Sequence, residues 1–224
     1  MKLLLIRCFI SSVFFILPFS ICARKNGQES LWEEFHVEDG VTLFKSRKAE
    51  KGIIPFRAEA ILQGRFEDYL KALMNLKDKN LWAPKLKETK LHQLVNSNTF
   101  IFSEYYKTPW PATDREFLLK GSVIFKGKKE VIFFAKSILK NHLKRIDHIQ
   151  CDVREITLIL REVNKNETFI SFTFEGDMKG WMPTWLINLI QRRWPMRFIQ
   201  ALEKFIIREE VEVTPEYIQL KRVS

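Results

Sequence analysis

The chain has 224 residues, 46% hydrophobic and 13% aromatic, with 37 Lys and Arg against 27 Asp and Glu for a formal charge of +10. This composition supports one well-buried domain and leaves little for a second independent core. The basic balance points to an anionic surface, either membrane or nucleic acid, and does not choose between them.

Residues 1–23, "MKLLLIRCFISSVFFILPFSICA", carry Lys2 and Arg7, no acidic residue, and an apolar run that ends as the sequence turns to "RKNGQES". This is the pattern of a secretory signal peptide. The run is short for a membrane span of roughly 20 residues, although an uncleaved anchor and a lipid-modified Cys22 remain alternatives. Cleavage after Ala23 would take the formal charge from +10 to +8 and leave residues 24–224 as a single domain with Cys151 as its one thiol. No internal disulfide is then available to an exported domain. A lone cysteine is more often a packed small hydrophobe than a nucleophile. Export would mean the periplasm in a Gram-negative host, and secretion or the endomembrane lumen in a eukaryote. Asn166-Glu167-Thr168 is a glycosylation acceptor only in the eukaryotic case.

The elements follow in chain order. Apolar residues at 31, 32 and 35 predict a short amphipathic helix over 29–35. "GVTLFKSR" and "IIPFRAEAILQG" read as strands, with Asp39-Gly40 opening the first and Lys51-Gly52 turning between them. Apolar positions 66, 69, 70, 73, 74 and 76 predict a helix over 66–82, with Trp82 and Pro84 at its exit. "KLHQLVN", "NTFIFSEYYK", "REFLLKGSVIFK" and "EVIFFAKSIL" are rich in β-branched and aromatic residues and read as strands. A polar basic segment, "KNHLKRIDHIQ", precedes two more strands, "CDVREITLILREV" and "ETFISFTFEGD". A long helix begins near Pro183, a residue suited to a first helical turn. Met182, Trp185, Leu189, Met196, Ile199, Leu202 and Phe205/Ile206 recur along it at helical spacing, and Pro195 interrupts its hydrogen bonding. The order predicts an α+β fold with a large antiparallel sheet. A curved sheet wrapped around a long helix hides its edges and can leave a cavity between the two.

"FEGDMKGWMPTWLINLIQRRWP" closely resembles the signature of START domains, the lipid-transfer fold. Its D-x-x-G-x-x-P-x-W-L-[IV]-N pattern falls on Asp177, Gly180, Pro183, Trp185, Leu186, Ile187 and Asn188. "TPWPATDREFLLKG" resembles the family's Pro-aromatic-Pro turn followed by Arg-Asp, here Pro109, Trp110, Pro111 and Arg115, with Glu116 in place of the Asp. The resemblance covers essentially residues 28–210, in order. It implies a helix-grip fold, a sheet bent around the C-terminal helix with one lipid in an apolar tunnel between them. It also implies no cofactor, no metal and no catalytic group. In phosphatidylcholine-transfer members a Y-R-K-x-W-D turn supplies a basic group to the lipid phosphate. The matching stretch here is "DKNLWAP", where Lys79 is the possible equivalent and Ala83 replaces the Asp. Lysine lacks the bidentate fork of arginine, so no head group carries over.

Alternation in "FIFSEYY" puts Phe100, Phe102, Glu104 and Tyr106 on one face. A carboxylate among aromatics must be paired or protonated. Arg115 is the expected partner of Glu104, the two marking the polar end of a cavity that Trp185 and Leu189 help to line. The alternative is a structural pair, or an outer-face position. Trp181, Met182, Arg192, Arg193 and Trp194 are the candidate lid and membrane-facing residues, because tryptophan tolerates an interface and arginine contacts anionic head groups. Plain packing is the alternative for Trp185 and Leu189. The expected partners are a lipid (sterol, phospholipid or other) and a transient membrane surface, with the chain a monomer.

Three other functions compete. A cyclase of the polyketide type uses a similar cavity but needs positioned acid–base groups, and His36, His92, His142 and His148 show no metal spacing. No recognised nucleic-acid reader motif is present, so nucleic acid is not expected as a partner. An exported interaction module with a collapsed cavity is the third.

Overall fold

In the computed structural model, residues 31–222 apart from 49, 51 and 52 are described. The expected leader, the alternatives at Cys22 and the Lys51-Gly52 turn lie outside them. Among the described residues ten strands form one sheet curved around the longest helix, in the order β1 (Trp32–Glu38), β2 (Val41–Ser46), β3 (Ile54–Gln63), β10 (Glu167–Asp177), β9 (Asp152–Asn164), β7 (Glu130–Ser137), β6 (Arg115–Phe125), β5 (Thr99–Tyr106), β4 (Leu86–Asn96), with β8 (Ile149–Gln150) paired to β6.

The first element corrects the sequence reading. Trp32–Glu38 is strand β1, not a helix. Asp39 and Gly40 have φ of 50° and 76°, which suits a two-residue hairpin turn, and they fold β1 onto β2 (Val41–Ser46). Leu31 and Phe35 remain exposed, so the apolar triplet that suggested a helix has no core to cover. Cross-strand hydrogen bonds to β2 decide the conformation instead.

Strand β3 (Ile54–Gln63) leads into α1, Phe66–Met74, which buries Phe66, Tyr69, Leu70, Leu73 and Met74. The helix is eight residues shorter than the periodicity predicts. Asn75 leaves helical geometry, its side chain accepting from the Asp78 N–H at 3.2 Å and donating to the Asp78 carboxylate at 2.9 Å. This local turn competes with helix continuation. A 3-10 turn at Lys79–Leu81 follows. Strands β4 (Leu86–Asn96), β5 (Thr99–Tyr106), β6 (Arg115–Phe125) and β7 (Glu130–Ser137) form a meander, as their composition predicts. The basic segment lies over the outer face of β5. It contributes a 3-10 turn at Asn141–Leu143 and the two-residue strand β8 (Ile149–Gln150), parallel to β6. The Arg145 guanidinium sits 4.6 Å from the Tyr105 ring centre. All eight residues of β5 are therefore buried, where alternation alone predicts one wet face.

Strands β9 (Asp152–Asn164) and β10 (Glu167–Asp177) form the last hairpin, and β10 pairs along its length with β3. Helix α2, Thr184–Arg208, starts after Pro183, which is its N-cap rather than its first turn, and continues through Pro195. Met196, Ile199 and Leu202 are buried as the stripe predicts. Trp185 is not: it is 52% exposed, while Leu186 beside it is 1% exposed. A short helix that the sequence reading missed, α3 (Pro215–Lys221), docks on α1. Tyr217 and Lys221 donate to the Glu67 carboxylate at 2.6 and 3.0 Å. Among the described residues no helix is long and apolar enough to cross a membrane.

Candidate functional site

The concave face of the sheet is aromatic because β3 and β10 alternate. Phe56 and Phe174 stand opposite each other in register and stack with centres 5.2 Å apart. Phe172, two residues along, stacks on Phe198 of α2 at 4.7 Å. Trp194 meets Phe56, Phe172, Phe174, Tyr106 and Phe198, with ring centres between 5.6 and 6.4 Å apart. Offset and edge-on aromatic contacts of this kind each add about 0.5–1.5 kcal/mol beyond area burial.

Two cavities lie on either side of this cluster. The first holds about 830 Å³ of empty space, part of it open to solvent, and is lined by Phe56, Phe117, Phe174, Met178, Leu186, Leu189 and Ile190, among others. The second holds about 680 Å³ of empty space, again part of it open to solvent, and is lined by Phe100, Phe102, Leu119, Phe133, Leu158 and Phe172, among others. Tyr106 and Trp194 line both and so form the partition between them. Helix α2 supplies its wall through Leu186, Ile190, Trp194 and Phe198, one every fourth residue. That row was visible in the sequence, but the reading followed the neighbouring stripe.

The expected residues divide between these spaces. Phe100, Phe102, Glu104 and Tyr106 all line the second cavity, as alternation predicts, and Lys79 joins them. Leu189, Arg115 and Arg193 line the first. Trp194 is half-buried at the partition, not on an outer lid. Trp185 lines neither cavity; its ring faces solvent, one residue away from the wall. Trp181 is exposed and Met182 partly so. Arg192 lines neither cavity; it lies in an open depression beside Phe35 and Asn188 that shares Phe56 with the first.

Glu104 and Arg115 do not pair. Glu104, 5% exposed, forms a buried ion pair with Lys79 and accepts from the Tyr106 hydroxyl at 2.9 Å. Burial, and then the neighbouring Glu104 charge, push the Tyr106 phenol well above its ordinary range, so it stays a donor. The reason for the changed partner is the early end of α1: the Asn75–Asp78 turn swings Lys79 back over β5. Its ammonium is thereby neutralised within the protein.

Arg115 is wholly buried and has a different task. Its Nε donates to the Met178 carbonyl at 3.0 Å, and Nη2 donates to those of Lys179 and Trp181 at 2.9 and 3.3 Å. Nη1 donates to the Thr113 carbonyl. These bonds tie β6 to the loop that opens α2. The loop's own residues complete it: the Asp177 carboxylate accepts from the Lys179 N–H at 2.7 Å, and Lys179 and Gly180 both have positive φ. A Cβ at Gly180 would lie 2.6 Å from Ile149, so glycine is required here for space as well as conformation. Cys151 is buried beside it, its thiol pushed up by burial and donating to the Met178 carbonyl at 3.5 Å.

Glu116, also buried, faces away from the cavities. It accepts from Ser103 Oγ at 3.1 Å and from the Arg145 N–H at 3.0 Å, and His92 lies 2.8 Å from the same Ser103 oxygen. Because the Ser103 proton goes to Glu116, His92 must donate to Ser103 and is not its base. Among the described residues no cluster of three or more metal-ligating side chains occurs.

The chain is similar in structure to human STARD10 (TM-score 0.73, 16% identity, covering 81% of this chain and 75% of that one). It is also similar to human StAR-related lipid transfer protein 5 (0.71, 14%, 81% and 88%) and to a fragment of the STAR-related lipid transfer protein from Xanthomonas axonopodis (0.69, 15%, 80% and 100%). No curated protein matches it in sequence. The START domain profile matches residues 23–206, and with the helix-grip architecture in place the chain belongs to the START domain family.

Proposed function

We propose that the protein binds one lipid in the paired cavities under α2 and carries it between membranes. The observation that carries this reading is the pair of apolar spaces that share only Tyr106 and Trp194. Lipid chains in water cost about 25 cal/mol for each Å² of apolar surface, and these walls offset that cost. No bond need be made or broken for the task. Three tryptophans near the first cavity are exposed. Trp110 follows the lining residue Pro109, Trp181 gives its carbonyl to Arg115, and Trp185 precedes the lining residue Leu186. They are the surface by which the carrier touches a bilayer, since indole suits the boundary between hydrocarbon and water. The leader pattern supports export of the chain to the periplasm or, in a eukaryote, to the secretory route.

The test is native mass spectrometry on the protein purified from its host without detergent, followed by transfer of labelled lipid between vesicles. One lipid class at near one-to-one, carried faster with protein than without, is expected. A protein that is empty and fails to take up any lipid from vesicles would overturn the reading.

A further inference from the structure

The charges that line the first cavity are all of one sign. Lys85, Lys107, Arg115, Arg193 and Arg197 line it, and no Asp or Glu does. Among the described residues none of these five makes an ion pair, although thirteen other Lys and Arg side chains do. Four of the five stand at the exposed mouth; the fifth, Arg115, is wholly buried with its hydrogen bonds all going to neutral carbonyls. A buried guanidinium without a carboxylate leaves its full charge to act on whatever enters. Arg193 and Arg197 are also one helical turn apart on α2, a like-charge spacing that disfavours the helix. The second cavity is the opposite case, since its one cation, Lys79, is matched by Glu104.

Resting on the carrier reading, we infer that the cargo is an amphiphile with an anionic head, a phosphate or a carboxylate. The head lies in the cationic mouth of the first cavity, and the chains run past Tyr106 and Trp194 into the second. The arrangement places the charged group near the opening and the apolar part deep, so the head is never stripped of all its water. Its selectivity comes from complementary charge at the mouth and not from the neutralised pair inside. Arg193 and Arg197 are the specificity-determining residues that can be changed without disturbing the core, because both are exposed.

The test uses the full chain and three fluorescently labelled lipids with identical acyl chains: phosphatidic acid, phosphatidylcholine and diacylglycerol. Each is offered at trace level in neutral vesicles, and cargo is measured after the protein is separated from them. Phosphatidic acid is expected to load about tenfold better than the other two, and the Arg193→Gln/Arg197→Gln double variant to reduce that preference to within about threefold. Equal loading of all three by the wild type would overturn the inference and leave the carrier reading standing; loading of none would overturn both. Inorganic phosphate that blocks phosphatidic acid at equal concentration would overturn it in favour of a soluble-anion site. An undiminished preference in the double variant, with binding to phosphatidylserine vesicles lost, would overturn it in favour of membrane docking.

Discussion

Lys79 and Arg115 are both cations that line a cavity under α2, and the protein settles their charges differently. Lys79 meets a carboxylate from the next strand but one, which also accepts from a phenol of that strand, so the inner cavity presents no net charge. Arg115 meets only carbonyls, three from the loop before α2 and that of Thr113, and the outer cavity keeps its charge. The difference teaches that a buried charge in one fold can serve closure in one place and architecture in another. The inner pair seals a wall, whereas the outer guanidinium fixes where the helix begins.

The sharpest way to break this comparison is at Arg115. Arg115→Ala takes the guanidinium donor from four carbonyls, of which Met178 keeps the Cys151 thiol, and is expected to cost about 4 kcal/mol in urea unfolding. Faster amide exchange in the 178–181 loop should accompany it. Arg115→Lys should recover little, because an ammonium cannot reproduce the fork. Next is the inner pair. Glu104→Leu strands the Lys79 ammonium and should cost about 3 kcal/mol, while the double variant Lys79→Met/Glu104→Leu should recover most of that loss. A double variant no better than the single one would show that the pair is not a closed unit. Trp194→Ala removes a half-buried indole from the partition, with an expected cost of about 2 kcal/mol and faster lipid uptake, because the two cavities then merge.

The smallest effect is a pH dependence far from either cavity. Burial alone would raise the Glu67 carboxyl, but hydrogen bonds from Tyr217 and Lys221 outweigh it and hold the group below its usual 4.5. A depressed carboxylate contributes stability that is present above 4.5 and lost as pH falls through the folded value. Acid should therefore loosen α3 before the sheet, and Tyr217→Phe should weaken that dependence, read as the slope of Tm against pH.

Much of the framework was legible. Strands β2 to β7, β9 and β10 announce themselves by β-branched and aromatic runs between turns, and the Asp177, Gly180 and Pro183 spacing marks a loop whose hydrogen bonds and positive φ values give it a physical basis. Strand β1 was misread because an edge strand buries little and its apolar spacing fits a helix equally well. Strand β8, at two residues, is too short to leave a pattern. Helix α3 was missed despite its signal: Thr214 accepts from the Tyr217 N–H, and Pro215 holds the first helical position. The partner of Glu104 was not legible, because it depends on where the turn after α1 carries Lys79. Nor was the inward side of Trp194, since a tryptophan beside arginines reads equally well as an outer anchor or as an inner wall.

The pairing of β3 with β10 joins residues 54–63 to residues 167–176, and α2 closes the concave face only after that. Contacts so distant in sequence make a slow folder, since the loop between them must be closed before any pairing rewards it. During synthesis the aromatic lining of β3 and β5 exists for more than sixty residues before its last wall arrives. The nascent chain is thus sticky for as long as the C-terminal hairpin and helix are missing, and truncations before residue 208 should aggregate rather than yield a smaller soluble domain.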